Sequence, residues 1–315
     1  MKGGGRAGSR AEGAGWPWFL GKRMAGAACL LVLAARAAAA TTDAEPPAAL
    51  RVEDEAIRVE LEQTLERLEG GGGAAILRDI LARAPAGPVR LSVVGSGRRA
   101  AAARVTPEEL VQRLRGATVV YAHRYLCSRC NARHLQTAAG VMVAPGGYFV
   151  TAAHCVRIAE GEVAVVWSAD EGVLPVDGWV HIDDQADVAL LRASGLTAPP
   201  LPVAAAPPRP GTDVHLMGHP RNHFFYYSRG VVARAIHLTR PGTERAPWLM
   251  LEVTAPFGRG SSGGPVLDSR GCLVGVISAT EAISTGPHTE TDSYVQMVVG
   301  QVSSIAPLVE TLGGR

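Results

Sequence analysis

A serine among glycines, a histidine after an apolar run and an aspartate before another are the residues of this chain that could do chemistry together. The serine is Ser262, in Gly258-Arg-Gly-Ser-Ser-Gly-Gly-Pro265. Its hydroxyl suits attack on a carbonyl if a base removes its proton. Gly260 lets the backbone turn so that its own N–H and that of Ser262 converge on one point, where they can hold the oxyanion of a tetrahedral intermediate. Gly263 and Gly264 leave room for a substrate backbone, and Pro265 leads into the apolar Val266-Leu267. Taken alone, such a Gly-Ser run is ordinary turn material. His154, in Thr151-Ala-Ala-His154-Cys155, follows the strand-like Tyr148-Phe149-Val150 and supplies a base. Asp187 directly precedes Val-Ala-Leu-Leu191, an anchored position from which a carboxylate can orient an imidazole. Asp183 and Asp184 compete for that role, but neither abuts the apolar run, so both are placed in an exposed turn. Each residue singly is more simply structural. In the order His, Asp, Ser they point to nucleophilic acyl transfer, and that order argues against the α/β-hydrolase esterases, which run Ser, acid, His.

These stretches, with Gly140-Val-Met-Val-Ala-Pro-Gly-Gly leading into the histidine segment and Met217-Gly-His-Pro220 ahead of Ser228-Arg-Gly-Val-Val232, resemble the trypsin-like serine peptidases of the chymotrypsin fold. The closest likeness is to the bacterial HtrA/Deg branch, over about residues 117–312. The resemblance implies an all-β fold of two antiparallel six-stranded barrels with the site in the cleft between them, here carrying a small helical N-terminal extension. It implies a serine endopeptidase in which Ser262, His154 and Asp187 act together, Gly260 and Ser262 donate the oxyanion N–H groups, and Ser278 supports the aspartate. It places the specificity pocket at Pro256, Phe257, Ala279 and Thr280. With no acid at Pro256 and Thr280 narrowing the entrance, cleavage after small or medium apolar residues is expected, since an unpaired Lys or Arg would be costly to desolvate there. Where animal trypsin-like enzymes carry aspartate before the nucleophile, this chain has Ser261, so their N-terminal activation switch has no anion to use. HtrA proteins usually continue into a PDZ module; the residues after Ser262 are expected to be taken up by the fold, leaving no space for one. A catalytically idle binding module on the same fold is the alternative from another class, and the presence of all three groups argues against it.

The 315 residues are 47% hydrophobic with a net charge of +2, ample for a core and no sign of a polyanionic partner such as nucleic acid. Residues 1–40 read as a signal peptide: Arg6, Arg10, Lys22 and Arg23 precede the apolar Met24–Ala34, and Ala38-Ala-Ala40 offers a cleavage site. The apolar core is short for a stable membrane span. An exported, periplasmic or secreted protein acting on protein or peptide substrates, able to oligomerise and needing no cofactor, is the expectation. Over residues 41–116 the pattern predicts helices at Glu53–Leu68 and Ala75–Ala84, and a third opened by Thr106-Pro-Glu-Glu109; this segment is a helical extension or pro-region, and residues 117–315 form the peptidase domain.

Strands are expected from Ala117, at Glu162–Ser168 and at Val173–His181. The Pro-rich run Ala198–Pro210 connects the barrels. Asp213–Gly218, Trp248–Val253, Cys272–Ala279 and Ser293–Val299 build the second, and a closing helix covers Val302–Leu312, interrupted at Pro307. Between the first strands, His123, Cys127, Cys130 and His134 could ligate zinc, but in an exported protein the favoured reading is a disulfide involving Cys127 or Cys130, with free or redox thiols a third possibility and no metal site assigned. His215, His219 and His223 would share a helix face, but Gly218 and Pro220 break any helix there. Phe224–Tyr227 is either a loop beside the substrate groove or ordinary strand packing.

Overall fold

The computed structural model describes residues 51–71, 73–95, 105–239, 247–284 and 295–312; the signal-peptide reading of residues 1–40 lies outside them. The chain is mostly β, and its strands close into two rings.

The first ring comprises β2 (Thr118–Leu126), β3 (Arg133–Ala144), β4 (Tyr148–Thr151), β5 (Ala164–Ser168), β6 (Gly172–Pro175), β7 (Gly178–Asp183) and β8 (Val188–Arg192). They pair antiparallel in the order β6-β5-β2-β3-β4-β8-β7. The run read as one strand over Val173–His181 is therefore two. It breaks after Pro175, which has no N–H to donate, and the next two N–H groups go opposite ways, Val176 to Ala164 and Asp177 to Arg192. That hand-over carries the chain from the β5 edge to the β8 edge, so seven strands fill six positions.

The second ring is β10 (Asp213–Gly218), β11 (Tyr226–Leu238), β12 (Trp248–Val253), β13 (Pro265–Asp268), β14 (Leu273–Ser284) and β15 (Val295–Ser304). The order β14-β13-β10-β11-β12-β15 closes through β14–β15 pairing, which makes six positions again. Two further strands join outside the ring. β9 (Val203–Ala204) lies inside the Pro-rich connection and pairs parallel with β14, and β1 (Val93–Val94) from the extension pairs with β9. The connection also contributes to the core, since Leu201 and Val203 are buried.

Over the rings pack α1 (Asp54–Gly71), α2 (Leu77–Leu81) and α3 (Pro107–Ala117). α1 turns Ile57, Leu61 and Leu65 inward at helical spacing. α3 starts on a full capping box, Thr106 with Glu109, and Pro107 in the first turn. The short α4 (Ala153–Ile158) follows β4, and α5 (Ala306–Leu312) closes the chain. Residues 302–304, expected as helix, instead extend β15, and Pro307 sits in the first turn of α5, where its missing N–H costs nothing.

Candidate active site

The histidine segment is placed by β4. Thr151 ends that strand fully buried, its hydroxyl donates to the Ala139 carbonyl at 2.7 Å, and three residues later His154 stands in the first turn of α4. Asp187 precedes β8, antiparallel neighbour of β4, so the β4–β8 register brings the two side chains together. His154 Nδ1 lies 2.9 Å from Asp187 Oδ2 and 3.0 Å from Oδ1, and the His154 backbone N–H donates to Oδ1 at 2.9 Å. The Ser278 hydroxyl from β14 donates to Oδ2. A carboxylate only accepts, so Nδ1 carries the proton and Nε2 is the nitrogen free to act as base. Asp187, with a strong favourable interaction with the protonated ring, raises His154 above the ordinary imidazole value, to about 10, with the Cys155 side chain adding to it. Asp183 and Asp184 do not take part: Asp183 Oδ1 accepts from the N–H groups of Gln185 and Ala186, and Asp184 pairs with Arg157.

Ser262 comes from the turn between β12 and β13 and meets the first ring directly. The Ala139 N–H donates to the Ser262 carbonyl at 2.8 Å. Gly263 has φ +82, and a Cβ there would lie 2.1 Å from the Ala139 carbonyl oxygen, so only glycine lets the two rings approach this closely. Ser262, His154 and Gly260 line one cavity of about 360 Å³, together with Tyr121, His123 and Ala138 from the first ring. Within it the Ser262 hydroxyl donates to the Ser278 carbonyl at 3.3 Å.

The turn before Ser262 aims backbone donors. The Arg259 carbonyl accepts from the Arg221 N–H at 2.9 Å. In a trans peptide the following N–H points the opposite way, so this bond turns the Gly260 N–H away from residue 221; Gly260 has φ +102. Among the described residues neither the Gly260 nor the Ser262 N–H donates to a backbone carbonyl. Four non-glycine residues around the cleft, Asp187, Arg221, Asn222 and Phe225, have φ between 49° and 66°. Such concentrated backbone strain is usual at functional sites.

Ser262 also borders a smaller cavity of about 90 Å³, lined by Phe257, Ile277, Ser278, Ala279 and Thr280. Of the four residues predicted for a specificity pocket, Phe257, Ala279 and Thr280 are here. Pro256 is not: it is exposed, and its carbonyl is held by the Ser228 hydroxyl at 2.6 Å. Gly258, Arg259 and Ile277 also line it, and the sequence pattern did not single them out for the pocket.

The remaining candidates disperse. His219 is fully buried: its Nδ1 accepts from the Phe225 N–H at 3.0 Å and its Nε2–H donates to the Val119 carbonyl at 3.2 Å, which fixes a neutral tautomer. Burial lowers it to about 4. His215 bonds Tyr227 and His223 is exposed, so the three histidines share no face. Phe224 and Phe225 point inward rather than to a groove; Phe225 packs on Trp167, and both pack on His219. His123 is buried, is lowered to about 4 by burial, and is separate from the Cys127 and Cys130 sulfurs. The expected disulfide is not seen among the described residues, where Cys127, Cys130, Cys155 and Cys272 are free thiols. The reason is local, since the Cys130 sulfur faces His134 Nε2 at 2.9 Å. N–H groups of Cys130 and Arg129 aimed at the Cys127 sulfur hold its thiol below the usual range.

The trypsin-like peptidase domain matches residues 138–276, a span that contains His154, Asp187 and Ser262. The chain carries a trypsin-like peptidase domain. It is 33% identical over 113 residues to serine protease Rv3671c of Mycobacterium tuberculosis, covering 34% of this chain and 28% of that protein. It is 29% identical over 148 residues to a Pseudomonas fluorescens protein named as a DegP-like periplasmic serine endoprotease, covering 47% of this chain and 30% of that one. The matched stretches thus span less than a third of these relatives' length. Among solved structures, an HtrA-type protease with a decapeptide superposes with a TM-score of 0.50 at 16% identity over 66% of each chain, a likeness of fold alone. No helix among the described residues is long and apolar enough to cross a membrane.

Proposed function

We propose that this chain is an exported serine endopeptidase that cuts proteins through Ser262, His154 and Asp187. One observation carries the reading: Asp187 holds His154 by both its ring and its backbone N–H, while Ser262 shares the same cavity. In the reaction the Ser262 hydroxyl swings from the Ser278 carbonyl toward His154 Nε2, gives up its proton and attacks the scissile carbonyl. His154 passes that proton to the leaving amine, and Asp187 stabilises the imidazolium in between. The N–H groups of Gly260 and Ser262, neither of which donates to a backbone carbonyl among the described residues, receive the oxyanion. Water then enters by the reverse path, with His154 as base, and releases the acyl group from Ser262. Ser278 is a positioning residue that acts through Asp187. The narrow cavity beside Ser262 is walled by Phe257, Ile277, Ala279 and Thr280, with Arg259 at its border and no acidic residue in its lining, which favours small or medium apolar residues over Lys or Arg on the acyl side of the cut. The basic, apolar and small-residue succession of residues 1–40 supports export, and residues 41–116 serve as a helical extension ahead of the peptidase domain at 117–315.

A fluorophosphonate probe tests the nucleophile. Wild-type protein should be labelled at Ser262, and Ser262→Ala should lose both labelling and hydrolysis of denatured protein, by about 10⁴-fold or more. Labelling elsewhere, or retained hydrolysis, refutes the assignment. Mapping cut sites in a denatured protein mixture tests the pocket; a dominant preference for Lys, Arg or Glu overturns it.

A further inference from the structure

The tip of the β2–β3 hairpin gathers ligand-type side chains that the proposed peptidase chemistry does not use. Cys127, Cys130 and His134 bring their donor atoms within 4.8 Å of one another. The backbone builds this convergence. Leu126 and Arg133 form the last cross-strand pair, the Cys127 N–H donates to the Ala132 carbonyl, and the Asn131 N–H returns to the Cys127 carbonyl, both at 2.9 Å. Asn131 takes φ 53, a left-handed turn conformation that lets the chain reverse into β3. From the strand side His134 is held by its cross-strand neighbour Tyr125, ring centroids 5.9 Å apart.

We propose that Cys127, Cys130 and His134 form a metal site for a borderline-soft divalent cation of the Zn²⁺ type. Donor chemistry selects the class: two sulfurs and an imidazole suit Zn²⁺, and no carboxylate belongs to the cluster that would favour Mg²⁺ or Ca²⁺. On binding, each thiol releases its proton to solvent as its sulfur–metal bond forms, and the imidazole binds through Nε2 in neutral form. Two thiolates balance the dication, so the exposed tip carries a neutral complex. Three protein donors leave one tetrahedral position for a water molecule. A disulfide would leave His134 without a role, whereas the structure turns the Cys130 sulfur toward that ring. The hairpin also runs on into the cleft: Tyr125, Leu135 and Gln136 line the cavity that holds His154 and Ser262. A bound ion would stiffen that wall.

The test uses the full chain carrying Ser262→Ala, so that metal binding is read without hydrolysis and its failure says nothing about the peptidase reading. Reduced, chelator-stripped protein is titrated with Zn²⁺ against a chromogenic chelator and with Co²⁺ by absorption. One Zn²⁺ per chain, proton release, and a thiolate-to-cobalt charge-transfer band are expected. Cys130→Ser should abolish tight uptake, and His134→Ala should weaken it by more than the roughly 10- to 100-fold that loss of an outer-shell partner costs. Peptide mapping after alkylation gives a measurement that needs no variant at the tip: Zn²⁺ should protect Cys127 and Cys130. No stoichiometric uptake, unprotected thiols in the presence of Zn²⁺, uptake unchanged by His134→Ala, or a Cys127–Cys130 disulfide in protein isolated from its native compartment would each overturn the site.

Discussion

Ser278→Ala removes one hydroxyl from the least conspicuous part of the cleft, and its effect can be worked out from the contacts of Asp187. That carboxylate receives the His154 N–H and ring on Oδ1, and the ring and the Ser278 hydroxyl on Oδ2; its side chain is 16% exposed. A hydrogen bond to a charged group contributes about 1.5–3 kcal/mol. The His154 contacts remain in the variant, so Asp187 stays in place with looser aim. A carboxylate with one donor fewer is also more basic and holds a protonated ring more firmly, which offsets part of the loss. The balance is a fall of about tenfold in kcat/KM, roughly 1.4 kcal/mol, far short of losing the nucleophile. The second consequence has a fixed sign. His154 must be neutral to act as base, and greater basicity of Asp187 raises its pKa, so the acid limb of the kcat/KM profile should move to higher pH as the rate falls. The assay is kcat/KM on a peptide substrate across pH, with Ser278→Thr, which keeps a hydroxyl, restoring part of the rate. An unchanged rate, or a lower rate with the acid limb moving down, would refute the coupling of Ser278 to Asp187.

The same logic predicts that Asp187→Asn lowers kcat by about 10⁴-fold and shifts the acid limb downward toward 6.5, the imidazole value without its carboxylate; a pH–rate profile on residual activity checks both. Ser261 is fully buried, with an unpaired hydroxyl packed against Gly218, so Ser261→Ala should be near neutral in denaturant midpoint, whereas Ser261→Asp should destabilise by about 3 kcal/mol as an uncompensated buried charge. His123 is buried with both ring nitrogens unpaired and is lowered to about 4 from 6.5, so the unfolded chain binds its proton first on acidification. Its titration leaves stability undiminished above pH 6.5 and lowers it as pH falls toward 4; His123→Phe should raise stability at neutral pH and flatten that stretch of the stability–pH curve, and an unchanged acid slope would show that His123 does not carry it.

What could be read from the sequence was what local spacing determines. His154 follows a strand, Asp187 precedes one and Ser262 lies among glycines, so each announced itself within a few residues, and their fixed order supplied the rest. Where the reading missed, the answer lay in pairings between distant segments. Nothing near Val93 says that it pairs with Val203, and nothing in Val173–His181 except Pro175 marks where one strand becomes two. Pro256 was counted into the pocket by its distance from Ser262 along the chain, but its carbonyl is tied to Ser228, which leaves the lining to Phe257 and Ile277. The disulfide followed from compartment chemistry, which does not know that the Cys130 sulfur faces His134.

His219 shows the same limit and also why the helical extension matters to the cleft. Its partner Val119 lies 100 residues away, and only that contact reveals its position as a neutral clamp between the rings. The loop it anchors, residues 219–225, supplies the Arg221 N–H that holds the Arg259 carbonyl and so orients the Gly260 N–H. The same loop is held at three further points: Asn222 by the Thr137 hydroxyl, the Phe224 N–H by Asp54 at the start of α1, and the Phe225 ring by the Arg115 guanidinium of α3, 3.8 Å from its centroid. Two of those holds come from the extension. Three residues of this loop pay for left-handed backbone conformations, and such a loop keeps its shape only while its surroundings over-determine it. The helices ahead of the first ring are therefore part of what sets the geometry of the backbone donor beside Ser262, although none of their side chains lines that cavity.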